Sequence, residues 1–113
     1  MITRYALFEG EVKAGQEEAF RADVLAKILP LWKKMPGALA VRVGFAQSRD
    51  EGAPSLPMIL AIDYPDLQAV KAVMASPERA ASAQATQEVL ALYFKGRIHH
   101  HVMQAQNYTL ASA

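Results

Sequence analysis

The sequence predicts an α+β fold, a four-stranded antiparallel sheet with both of its helices on one face. Three observations predict it. Apolar residues alternate with a period of two in four separate runs. Two stretches between those runs carry apolar residues at three- and four-residue spacing instead. The order along the chain is strand, helix, strand, strand, helix, strand.

Thr3 to Val12 reads as the first strand, with Tyr5, Leu7, Glu9 and Glu11 on one face and Ala6, Phe8 and Gly10 on the other. Ala14 to Glu18 opens a helix, and its acidic first turn suits the helix dipole. Phe20, Val24, Leu25, Ile28, Leu29 and Trp32 form the apolar stripe, and Lys33 and Lys34 occupy the last turn. Pro30 inside this pattern predicts a kink, and Met35-Pro36-Gly37 is the stop signal. Ala38 to Ala46 is a second strand, in which Leu39, Val41, Val43 and Phe45 alternate with Ala40, Arg42 and Gly44. A polar loop from Ser48 to Pro57 leads into a third strand, Met58 to Tyr64. Asp66 caps a short helix from Leu67 to Ala75. Ser76-Pro77-Glu78 starts another helix that runs to about Tyr93, where proline suits the first helical position. The last strand, Gly96 to Gln104, holds all three histidines of the chain. With right-handed crossovers this order gives the ferredoxin-like split βαβ arrangement.

Composition narrows the function. A length of 113 residues suits one domain spanning the whole chain, and 52% hydrophobic against 20% charged residues can bury a core. A net charge of +1 argues against a nucleic-acid partner. There is no cysteine, hence no disulfide framework, thiolate zinc site or cysteine nucleophile. The first residues do not form a signal peptide, and no apolar run approaches the roughly 20 residues that cross a bilayer. A soluble, cytoplasmic protein without a membrane partner is therefore expected. Dinucleotide- and phosphate-binding glycine loops, a nucleophile elbow and the aromatic RNA-binding motif are all missing, so no cofactor is expected.

The helices can cover only one sheet face. The more apolar set, Phe8, Leu39, Val41, Val43, Leu60, Ile62, Ile98 and Val102, is assigned to that face, with His100 as a structural interruption. The other face carries Tyr5, Leu7, Glu9, Arg42, Ile59, Ala61, Asp63, His99, His101 and Met103. Such a mixed apolar patch usually marks an interface, so a homodimer through the sheet face is expected.

The candidate site lies on that second face. His99 and His101 share a strand face, and imidazole is the side-chain type suited to a general acid or base. With Glu9 or Asp63 they could also hold a metal ion, but a hydrogen-bonded or interface pair is the favoured reading and no metal is expected. Arg42 suits a planar carboxylate or enolate, and Tyr5 and Trp32 suit an aromatic ligand. The same residues would equally serve as an ion-pair network and core.

Phe8-Glu9-Gly10, the helix end Leu31-Trp32-Lys33-Lys34-Met35-Pro36-Gly37, Tyr64-Pro65-Asp66, Ser76-Pro77-Glu78 and Gly96-Arg97-Ile98-His99 add a family likeness. With the βαββαβ order they resemble the dimeric α+β barrel superfamily. It includes antibiotic-biosynthesis monooxygenases, EthD-like proteins, haem-degrading enzymes, muconolactone isomerases and stress-responsive barrel proteins. The resemblance implies a homodimer whose two sheets form a barrel, with a pocket between sheet and helices or inside the barrel. It also implies a small apolar or aromatic ligand with a polar handle, and cofactor-independent oxygenation or isomerisation. His99 or His101 would then take a proton, Asp63 or Glu9 would orient it, and Arg42 would stabilise the oxyanion. A non-enzymatic ligand-binding or stress-responsive barrel is the alternative that the same residues allow.

Overall fold

Two long strands, β1 (Ile2–Val12) and β4 (Phe94–Gln104), pair antiparallel along their whole length in the computed structural model, which describes residues 1–111. β3 (Met58–Tyr64) pairs with the other edge of β1, and β2 (Ala40–Phe45) pairs with β3. The strand order is β2-β3-β1-β4 and every pairing is antiparallel. The helices all pack on one face, so the expected ferredoxin-like fold is observed.

The first helical layer begins with α1 (Glu17–Asp23) and ends with α2 (Leu29–Trp32). Between them, Val24–Ile28 forms a π-helical turn, with Leu29 N–H bonded to the Val24 carbonyl. Pro30 explains it. Proline has no N–H to donate, and its ring collides with the carbonyl of the preceding turn in a regular helix. Widening that turn relieves the collision, so the expected kink takes the form of a π turn. Val24 and Ile28 stay fully buried through it.

α3 (Leu67–Met74) starts where the Asp66 carboxylate accepts from Ala69 N–H at 2.8 Å. α4 (Pro77–Tyr93) starts in the same way, Ser76 Oγ accepting from Arg79 N–H at 3.1 Å. Both caps satisfy a donor that a helix start leaves orphaned.

The core lies between these helices and the sheet. Phe8, Met58, Leu60, Ile62 and Tyr64 rise from the strands to meet Phe20, Val24, Ile28, Trp32, Val73 and Val89. Two assignments to this face end differently. Leu39 is 61% exposed, because β2 begins only at Ala40 and is an edge strand. Val102 is 44% exposed on the opposite edge strand, β4. Among the described residues, no helix is long and apolar enough to cross a membrane.

Candidate ligand cavity and the polar sheet face

The register of the four strands sets out the open face in rows. Arg42, Ala61, Tyr5 and His101 lie side by side across the sheet. On one side of that row run Ala40, Asp63, Thr3 and Met103, and on the other Gly44, Ile59, Leu7 and His99. Glu9 faces Arg97 one row further on.

Two polar groups form on this lattice. Thr3 Oγ1 donates to Asp63 Oδ1 at 2.6 Å, and Arg42 Nη1 lies 3.9 Å from Asp63 Oδ2. Both oxygens of this carboxylate are therefore engaged, and Asp63 is 7% exposed. Separately, Glu9 Oε1 lies 2.6 Å from His99 Nε2 and 3.6 Å from Arg97 Nη2. The structure thus brings Glu9 to His99 but keeps Asp63 two rows away from that histidine, and Arg42 one row away on the opposite edge strand. His101 stands opposite Tyr5. Among the described residues, no three histidine, aspartate or glutamate side chains are placed to share one metal ion.

Trp32 lies on the other side of the sheet from Tyr5. It is 3% exposed and lines a cavity of about 160 Å³ between sheet and helices. That volume is close to the roughly 150 Å³ of an apolar cavity able to take up benzene. The deep wall is apolar, built from Phe8, Trp32, Met35, Leu60, Ile62 and Ile98. The polar wall gathers one residue from each of four elements: Arg4 from β1, Tyr64 from β3, Arg79 from α4 and His100 from β4. Ser82 and Thr86 also line it, but their hydroxyls already donate to the carbonyls of Arg79 and Ser82.

The electrostatics of this wall are coherent. Burial lowers the Arg4 guanidinium below its usual range, and the positive charge of Arg79 lowers it further. Burial raises the Tyr64 phenol, against a smaller downward pull from Arg4. His100 is exposed along the sheet edge, yet its cavity-side burial pushes the imidazole down to about 4, helped by Arg4, Arg79 and His99. At neutral pH it is an uncharged proton acceptor beside two cations.

His100 is the residue that sequence reading set aside as structural. Its signal was present: it breaks an otherwise apolar face of Ile98 and Val102. Arg4 breaks the face of Ala6 and Phe8 in the same way. Both interruptions converge on the cavity.

No family model matches the chain, and no curated protein matches it by sequence. Solved structures do. An EthD family protein from Bacillus halodurans superposes with a TM-score of 0.75 at 18% identity, covering 94% of this chain and 99% of its own. A dimeric protein of unknown function and ferredoxin-like fold from Bacteroides fragilis superposes with a TM-score of 0.62 at 16% identity, over 92% of this chain and 95% of its own. SnoaB, a cofactor-independent oxygenase from Streptomyces nogalater, superposes with a TM-score of 0.58 at 18% identity, over 95% of this chain and 94% of its own. These likenesses place the chain in the fold shared by EthD-like and antibiotic-biosynthesis-monooxygenase-like proteins.

Proposed function

We propose, for a chain that shares its fold with EthD-like and antibiotic-biosynthesis-monooxygenase-like proteins, that it binds a small, largely apolar molecule between sheet and helices and removes a proton from it without a cofactor. The observation that carries this reading is a neutral imidazole, His100, set on the polar wall of an otherwise apolar cavity. A base in such a site can take a proton from carbon or oxygen, and Tyr64 can donate to the oxyanion that forms. Return of the proton at another carbon is an isomerisation. In an oxygenation, dioxygen is the co-substrate: a methylene becomes a carbonyl and the second oxygen atom leaves as water.

The open sheet face is then the dimer interface, with Glu9–His99 and Thr3–Asp63–Arg42 as its polar groups. The short Glu9–His99 contact supports a second reading, in which His99 is the acid or base inside a barrel closed by two chains.

Trp32 is the only tryptophan and lines the cavity, so its fluorescence reports filling directly. In a screen of one-ring and two-ring aromatic compounds, saturable change of that emission is expected. A flat response across the screen overturns the cavity reading. With a turned-over compound in hand, loss of turnover in His100→Ala but not in His99→Ala favours the cavity, and the reverse favours the barrel interior.

A further inference from the structure

We infer that the cavity recognises an anion: Arg4 and Arg79 together clamp the carboxylate of a compact ligand whose apolar body, about the size of one ring, lies against Trp32. This rests on the cavity being the ligand site and adds the charge and size of what it takes.

The argument begins with the placement of the two guanidiniums. Arg4 sits on the helix-facing side of β1, in line with Ala6 and Phe8, where the fold otherwise buries apolar groups. Arg79 sits in the first turn of α4, where the helix dipole disfavours a cation. The two line one cavity and repel one another. Among the described residues neither has an ion-pair partner, although Arg42 and Arg97 on the open face each lie close to a carboxylate. Each feature costs stability, and all of them meet at one opening. A ligand carboxylate would reverse the sign of each, since guanidinium forks match carboxylate geometry and hold it best where water is partly excluded.

Size and shape follow from the remaining wall. The cavity of about 160 Å³ leaves room for a single ring or its aliphatic equivalent. Ser82 and Thr86 have already committed their hydroxyl protons to helix carbonyls, so this side of the wall favours an apolar body. The charged end is left to Arg4, Arg79, Tyr64 and His100.

The test compares benzoate with benzamide, which share shape and differ in charge, by Trp32 fluorescence and calorimetry. Benzoate is expected to bind at least tenfold tighter than benzamide, and more weakly as salt is raised. Arg79→Met and Arg4→Met are each expected to bring the two probes to within about twofold of one another. Because Arg4 is part of the sheet, Arg79→Gln on the first turn of α4 serves as a second variant if Arg4→Met does not fold. An independent readout is the His100 resonance: a bound anion screens Arg4 and Arg79, which both oppose protonation, so benzoate should raise the imidazole midpoint and benzamide should not. Benzamide binding as well as benzoate overturns the anion inference and leaves the cavity reading intact. Preference for benzoate that survives both arginine variants overturns it too, since the anion then sits elsewhere. Failure of both probes at millimolar concentration overturns the cavity reading itself, and the anion inference with it.

Discussion

Glu9 Oε1 lies 2.6 Å from His99 Nε2, diagonally across the β1–β4 pair, while Arg97 stands directly opposite Glu9. An ionised carboxylate only accepts, so Nε2 donates the proton of this hydrogen bond. In one chain the two side chains are 37% and 31% exposed, and exposed pairs contribute no more than about 1 kcal/mol. If the open faces pack together, water is excluded and the coupling grows. A double-mutant cycle with Glu9→Gln and His99→Gln, read by urea denaturation, should exceed about 1 kcal/mol where the dimer persists. It should fall below that on dilution to monomer. An unchanged coupling across that range, with native mass spectrometry showing only single chains, removes the dimer through this face.

Thr3 and Asp63 face one another across β1 and β3, and their 2.6 Å hydrogen bond is buried. Removing the hydroxyl while keeping the shape leaves a buried carboxylate oxygen without its donor. Thr3→Val is expected to cost about 1–3 kcal/mol, measured from the urea midpoint at constant slope. Asp63→Asn with Thr3 intact should cost less, since an amide oxygen still accepts from Thr3. A larger cost for Asp63→Asn than for Thr3→Val would show that the Arg42 ion pair, more than the hydroxyl, holds Asp63.

Much of this was legible in the sequence because the strands carry no register shift. The alternation of Leu60 and Ile62 with Ala61 and Asp63 points the right way, and β1 keeps one constant register with β4 from Ile2 to Val12. Leu39 was misplaced because alternation says nothing of where an edge strand begins. The cavity was not legible for a different reason. Arg79 is surrounded by polar and small residues in α4, so its pattern matches a solvated helix face. Only the tertiary packing brings it to Arg4 and His100. Tyr5 and Trp32, both aromatic and both plausible pocket residues, were separated by the sheet itself.

The long β1–β4 pairing depends on two glycines facing one another. Gly10 pairs with Gly96, and a Cβ on Gly96 would overlap the Glu9 carbonyl oxygen and press on Gly10. Both obstacles are backbone, so no side-chain rotation relieves them. Gly96→Ala should therefore cost about 2 kcal/mol or more and lower Tm by several degrees. Because Glu9 and Arg97 flank this pair, the Glu9–His99 contact should loosen as well. A stability within about 0.5 kcal/mol of the parent would show that the strands separate here at little cost.

His100 carries the clearest pH dependence. Its imidazole is held at about 4, below the ordinary 6.5, by burial first and then by Arg4, Arg79 and His99. The unfolded chain therefore binds more protons than the folded one between those two values, and stability falls as pH falls through that window. The contribution is fully present above the ordinary value and exhausted below the shifted one. Solvent at the sheet edge screens its size. Urea midpoints taken between neutral pH and pH 4 should fall less steeply in His100→Gln than in the parent. By NMR titration the His100 midpoint should rise in Arg79→Met, since one of the cations opposing protonation is gone. A parent His100 that titrates at 6.5 and does not respond to Arg79→Met would mean that the two guanidiniums leave the imidazole untouched. The pH dependence of folding ascribed to His100 would then be absent, and the imidazole would no longer support two guanidiniums meeting at this wall.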